Sequence, residues 1–413
     1  RTHNITGTEH HVPNIEHLAG DLNDAIRAAW PKRDKIRYSR ALVLLLSWED
    51  DDLGVWTEID TLRKVFKDMY HFAVTTFEIP SLKPNMEVHK CIMNFLENDT
   101  KDTLRIVYYG GHGRGVQYST EPSIWFANRR DPAAQFPSGG IQSLLEEADS
   151  DVVLLYDCCH SAAVPTCGSQ QGGVTEVIAA CGYETTAPEV DEHSFTRALI
   201  EILTVASKQD PFSVGWLHSR VLSKLKCWSP GVKPLSGGGY AYERQPRRTP
   251  IYSLLSETRP RRSIVLGPLP SPANTQGSRE LMSIESTTSS SMVNGSGGSS
   301  KRSGECPGEV ESLKQVEHFE ELEYSRRAQC PEKAECAQIL LAIRVDETPF
   351  NKEDWVEWMR NVPVNGRDIH VEGRWDSFST LMLLRMPIEV WNLFPENPAY
   401  SFVGFVTSEN LAL

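Results

Sequence analysis

What this chain lacks narrows its role before any motif is read. It has no long hydrophobic run: the longest strongly apolar stretch, Ala41 to Leu46, lies between Arg40 and Ser47, far short of the ~20 residues of a membrane-spanning helix. It has no excess of basic charge. Its 42 Lys and Arg stand against 55 Asp and Glu, a net charge of -13, which argues against nucleic acid or an anionic membrane as the main partner. Metal-like cysteine spacing is also missing. The nine cysteines are an odd number, and the adjacent Cys158-Cys159 pair is too close for two ligands of one ordinary zinc site. Such usage fits a reducing compartment, so a cytoplasmic location and no bound metal are expected. No secretory segment precedes the glycosylation-like Asn4-Ile5-Thr6 and Asn98-Asp99-Thr100, and both are read as silent. The first residue is Arg1 rather than methionine, so further residues upstream are expected. A phosphate loop is absent, because Gly110-Gly111-His112-Gly113 is followed by no Lys-Ser or Lys-Thr.

What is present is globular: 40% hydrophobic and 23% charged residues over 413 positions, enough for two or three domains. In residues 1–35, Ile15, Leu18, Leu22, Ile26 and Ala29 recur at helical spacing before Pro31, which predicts an amphipathic helix packed on the domain that follows. His3, His10, His11 and His17 in this segment are read as solvated rather than as a metal site. From Tyr38, apolar strands alternate with amphipathic helices: Ala41–Leu46, Glu58–Met69, Ala73–Ile79, Met86–Leu96, Leu104–Tyr109, Gly140–Glu147, Val152–Tyr156, Val174–Cys181, Ser194–Val205, Val214–Leu225 and Thr249–Leu254. The pattern predicts an α/β domain over 36–257, with a mainly parallel sheet flanked by helices on both faces. Residues 258–308, rich in Ser, Gly and Pro, read as a flexible basic linker. Residues 309–413 follow the order strand 338–345, helix 352–360, strands 368–373 and 379–384, helix 388–393, strand 401–407. That order predicts a small α+β domain, ferredoxin-like βαββαβ, with Trp355, Trp358 and Trp391 under its sheet.

A thiol attacks a carbonyl as thiolate and needs a nearby imidazole, which the fold can supply from a distant part of the chain. Tyr108-Tyr109-Gly110-Gly111-His112-Gly113 and Tyr156-Asp157-Cys158-Cys159-His160-Ser161 each follow a predicted buried strand. His112 and Cys159 thus lie just past carboxyl ends of strands, where open α/β sheets bind ligands. These residues resemble the caspase and metacaspase family, in which metacaspases carry Ser-Gly-His-Gly after one strand and Asp-Ser-Cys-His-Ser after the next. The caspase histidine lies about 50 residues before the cysteine, against 47 here. The resemblance covers residues 36 to 257 and includes Ser194-Phe195-Thr196-Arg197-Ala198-Leu199 and Thr249-Pro250-Ile251-Tyr252. With Asp50-Asp51-Asp52-Leu53-Gly54 and the C-terminal unit, it looks most like caspase-domain proteins of filamentous fungi.

The resemblance implies a cysteine endopeptidase that acts on protein or peptide substrates without a cofactor. Aligned on Asp157, Cys159 takes the nucleophile's place and Cys158 the serine's. Adjacent strand side chains face opposite ways, so only one of the two can face His112; the alternative is that both are core cysteines. His112 would act as general base and then as acid, with His160 orienting the loop that follows. Backbone N–H groups of Cys159 and Gly113 would hold the oxyanion. Asp157 stands where metacaspases bind the side chain before the cleaved bond, which implies a basic P1 residue, Arg or Lys. Asp60 falls near a second pocket aspartate of that family, but a carboxylate stabilising a helix N-terminus fits equally well. Tyr108, Tyr109, Trp125 and Phe126 either line the cleft or fill the core.

Two departures bear on activity. Gly110 replaces a pocket serine of the family. Between Arg114 and Asn128 only Glu121 is acidic, so no calcium requirement is expected, since calcium takes about six to eight oxygen ligands. Asp50-Asp51-Asp52 is read as a solvated loop. Arg247-Arg248 and Arg261-Arg262 would be exposed sites for self-processing. The competing function is a catalytically weak or inactive caspase-like interaction module in a signalling or cell-death assembly.

Overall fold

The computed structural model describes residues 9–30, 36–115, 123–129, 134–159, 172–181, 194–226, 232–234, 240–242, 249–256, 261–270, 337–346, 368–376, 379–406, 408, 410 and 411. The helix predicted over 352–360 with Trp355 and Trp358, His160, Arg247-Arg248, and the linker from 271 onward lie outside the described residues.

The predicted α/β architecture is present. Strands β1 (Arg40–Trp48), β2 (Ala73–Ile79), β3 (Thr103–Gly110), β7 (Asp151–Asp157), β8 (Thr175–Ala179) and β12 (Ile251–Leu254) form one six-stranded sheet in the order β12-β8-β7-β3-β1-β2. All neighbours are parallel except the β12–β8 pair at one edge. Side chains alternate between the faces of a strand, and both faces here are apolar. Val43, Leu45, Ile106, Tyr108, Val153 and Leu155 join the core beneath α2 (Trp56–Lys64), α5 (Phe195–Ala206) and α6 (Val214–Lys226). Leu44, Leu46, Val107, Tyr109, Leu154 and Tyr156 enter the opposite core, beneath α3 (Pro84–Phe95) and α4 (Gly139–Glu146). Helix starts follow local chemistry: Pro84 opens α3, where a missing N–H is no loss. Ser194 caps α5 by accepting from the Arg197 N–H.

A second sheet, β15 (His370–Asp376), β16 (Thr380–Pro387), β14 (Gln338–Val345) and β17 (Tyr400–Val406), is antiparallel throughout and follows that order in space. This is the strand order of a ferredoxin-like sheet, with α7 (Ile388–Trp391) between β16 and β17. Trp391 packs on its apolar face.

Two expectations change. Helix α1 (Ile15–Ala29) packs mainly not on the domain that follows it but on the second sheet, where Ile15, Leu18, Leu22 and Ile26 meet Ile339, Leu341, Met382 and Leu384. Just before it, the Val12 N–H donates to the Arg344 carbonyl and the Val12 carbonyl accepts from Asp346, each at 2.8 Å. The apolar stripe was legible; which sheet would bury it was not, because the partner is over 300 residues away in sequence. Second, the stretch read as the start of the linker is ordered at 261–269. Its strand β13 (Val265–Leu266) pairs with β9 (Phe212–Ser213), and Ile264, Leu266 and Leu269 enter the main core. Arg262 grips the buried Asp151 carboxylate at 2.6 and 2.8 Å, and Arg261 donates to the Leu393 and Phe394 carbonyls. Arg261-Arg262 is thus a strap with both guanidiniums engaged, not an exposed dibasic site. Among the described residues no helix is long and apolar enough to cross a membrane.

Candidate active site

The register of β3 and β7 builds the site. Gly110 lies opposite Asp157 in this parallel pair, and the Gly111 N–H donates to the Asp157 carbonyl at 3.2 Å. His112 and Cys159 each stand two positions beyond that last pair, so they leave the sheet side by side. Gly111 sits at φ 153°, where a Cβ would come 2.9 Å from the Tyr109 hydroxyl, so glycine is required there. The chain then enters a small antiparallel sheet, β4 (His112–Arg114), β5 (Ile124–Phe126) and β6 (Gln135–Pro137), which composition did not announce. Phe126 pairs with His112 and stacks on its imidazole, with centroids 4.7 Å apart and planes 9° apart. Beneath, Tyr109 donates to the His112 carbonyl at 2.8 Å and accepts from Trp48 Nε1, while Trp125 stacks on its ring. Tyr108, Tyr109 and Trp125 are buried core residues, whereas Phe126 stacks on the imidazole itself.

Gly113 lies against the two cysteines. A Cβ there would collide with the Cys159 carbonyl oxygen and come within 3.0 Å of Cys158 Sγ. His112, Gly113 and Cys159 are therefore brought together. The two thiols differ sharply. Cys158 continues the series Val152, Leu154 and Tyr156 into the core beneath α3 and α4 and is 1% exposed. Burial, reinforced by Cys181, Asp157 and Cys159 nearby, pushes its thiol well above the ordinary range. Cys159 is half-buried and forms no disulfide.

Asp157 points toward the other core. Thr196, in the first turn of α5, donates to its carboxylate at 2.5 Å. The single Thr196 proton is thereby used, so the Tyr108 hydroxyl, 2.7 Å away, is the donor to Thr196. The ring of Tyr108 folds over Gly110, where an added Cβ would lie 2.6 Å from its hydroxyl. Ser194, the cap of α5, donates to Glu58 at 2.6 Å. Asp60 is not drawn into this group: Lys64 and Arg63 of its own helix engage its carboxylate at 2.7 Å each and hold it below its usual range. Residues two apart on a helix are about 200° apart around its axis, so Glu58 and Asp60 cannot both face the sheet end.

The acidic run after β1 is largely exposed, as expected of a solvated loop, but its carboxylates are not left to water alone. Its three carboxylates do point in different directions, but each has a partner: Asp50 accepts from the Ser81 hydroxyl at 2.5 Å, Asp51 from the Val55 N–H at 3.0 Å, and Asp52 meets His112 Nε2 at 2.5 Å. Burial works against ionisation of Asp52, but the bonds from His112 and the Arg129 N–H prevail and hold its carboxyl below the usual range. Among the described residues no group of three His, Cys, Asp or Glu side chains is placed to hold a metal ion.

No family model matches the chain, and no curated protein matches it. Among solved structures it is similar to caspase-1 from Spodoptera frugiperda, at 18% identity and a TM-score of 0.41, over 57% of this chain and 93% of that one.

Sequence reasoning named His112, Gly113, Asp157 and Cys159 and missed Asp52, which meets His112, and Thr196, which meets Asp157. The signal for Asp52 was its place: β1 neighbours β3 in the sheet, and Asp52 lies just past the carboxyl end of β1.

Proposed function

We propose that this chain is a cysteine endopeptidase that cleaves after Arg or Lys. The observation that carries the reading is the level ending of β3 and β7, which sets His112, Gly113 and Cys159 at one sheet end beside the Asp157 carboxylate. In the proposed reaction the imidazole takes the Sγ proton, and the thiolate adds to the carbonyl carbon of the scissile bond. Backbone N–H groups of Cys159 and Gly113 would hold the oxyanion. Collapse expels the amine, protonated by the imidazolium, and leaves a thioester that water hydrolyses to the free acid and thiol.

Specificity follows from charge. The bond from Thr196 holds one oxygen of Asp157, and the carboxylate would receive a guanidinium or ammonium group before the cleaved bond. An aspartate in that position would meet like charge. The competing reading, an inactive interaction module, makes a different prediction for labelling. A thiol-reactive inhibitor built on an Arg-ending peptide should modify Cys159 selectively, and its Asp-ending counterpart should not. Absence of selective modification at Cys159 would support the inactive module.

A further inference from the structure

We infer that Asp52 is a positioning residue for the reaction, a carboxylate that fixes His112 through Nε2 and leaves Nδ1 as the base for the Cys159 thiol. The inference rests on the Cys159–His112 reading and adds a third member to it.

The geometry restricts the imidazole in two ways. Asp52 Oδ1 lies 2.5 Å from His112 Nε2, and the ring is clamped flat against Phe126. The histidine is 6% exposed, so the ring has little room to turn. A carboxylate only accepts hydrogen bonds, so the proton of the neutral ring resides on Nε2 and the lone pair on Nδ1. When Nδ1 takes the Sγ proton, the ring becomes an imidazolium between the new thiolate and the Asp52 carboxylate. No proton needs to move onto Asp52.

Asp52 is itself held. Its second oxygen accepts from the Arg129 N–H at 3.3 Å, and Asn128 Nδ2 donates to the Asp50 carbonyl at 3.3 Å. Gly54, at φ 72°, lets the loop turn back into α2, and Asp51 accepts from the N–H of Val55, the residue just before that helix. The loop that leaves β1 thus delivers one of its three carboxylates to the histidine and uses the other two to brace itself. Asp52 is 34% exposed, so solvent weakens the pair relative to a fully buried one.

The test is the rate at which iodoacetamide alkylates Cys159 at neutral pH, read by mass spectrometry of the Cys159 peptide, together with kcat and KM on an Arg-ending substrate. Burial pushes Cys91 up to about 11 and Cys158 well above its ordinary range, so neither thiol competes strongly. D52N and D52A should slow both alkylation and kcat by roughly 10- to 100-fold, less than the loss at a fully buried triad aspartate, with KM nearly unchanged. D52E should recover most of the loss, which a merely structural role would not require. If D52N and D52A stay within about twofold of wild type while H112A slows alkylation, the inference is overturned and the Cys–His reading stands. If alkylation depends on Asp52 and His112 but no peptide is cleaved, the inference holds and the peptidase reading falls.

Discussion

Cys158 and Cys159 are chemically identical and one position apart, yet the fold gives them opposite fates. Cys158 continues the inward parity of Val152, Leu154 and Tyr156, and Cys159 falls where the chain has left the strand. C158A should therefore keep peptide cleavage within about threefold of wild type, the range of a conservative core change, whereas C159A should reduce it to background. Initial rates on an Arg-ending peptide decide this. Gly110 supports a second prediction. G110A would drive a Cβ into the Tyr108 hydroxyl and disturb its chain to Thr196 and Asp157; a loss of about 1–3 kcal/mol in urea denaturation is expected for such overpacking. The motif residues were legible because their chemistry is local to two short signatures. Asp52 was not, because it reaches the histidine from another element and its neighbours Asp50 and Asp51 look the same in sequence.

Strands and helices with a full period were legible to within about three residues: Ala73–Ile79 and Gln338–Val345 were read with the bounds they have, and the strands read as 368–373 and 379–384 run on to Asp376 and Pro387. Elements of two or three residues, β4, β5, β6, β9 and β13, carry no periodicity, and they shape the histidine's surroundings and the strap. Helix α6 supplies a pH prediction. Its His218 is fully buried; Nε2 bonds to the Pro250 carbonyl and Nδ1 to Asn392 Nδ2, each at 3.0 Å, which ties α6 to the residue before β12 and to the segment after α7. Burial pushes its pKa down to about 4, against a backbone hydrogen bond that raises it. The unfolded chain takes up this proton near 6.5 and the folded protein only near 4, so the unfolded state binds more protons in that window. Stability from this group is complete above pH 6.5 and falls as pH drops toward 4, by about 3 kcal/mol in all. Denaturation of wild type against H218Q across that window reads the difference, with the opposing trend of the buried Glu176 common to both.

Across the whole molecule, segments distant in sequence close on one another. The first helix lies on the last sheet, and the 261–269 strap packs into the main core and joins Asp151 and Glu176 to the Leu393 and Phe394 carbonyls of the segment after α7. Composition could not reveal the strap, since Arg, Ser and Pro read as linker until the three buried aliphatics find the core. R262A should cost about 3 kcal/mol in thermal or urea unfolding, because it leaves Asp151 buried beside Tyr38 with Arg37 at 3.7 Å as the remaining cation among the described residues. R262K should cost less and not be neutral, since one ammonium cannot reproduce the two-point grip.

The level strand ends and the Asp157 carboxylate support one proposal, that Cys159 cuts after basic residues. Matched fluorogenic peptides that end in Arg or in Asp, given to wild type and C159A, test it in a single set of initial rates. The Arg peptide should be cleaved roughly 100-fold faster than the Asp peptide, equivalent to about 3 kcal/mol, and C159A should cleave neither. Equal rates for wild type and C159A, or a preference for the Asp peptide, would contradict the account.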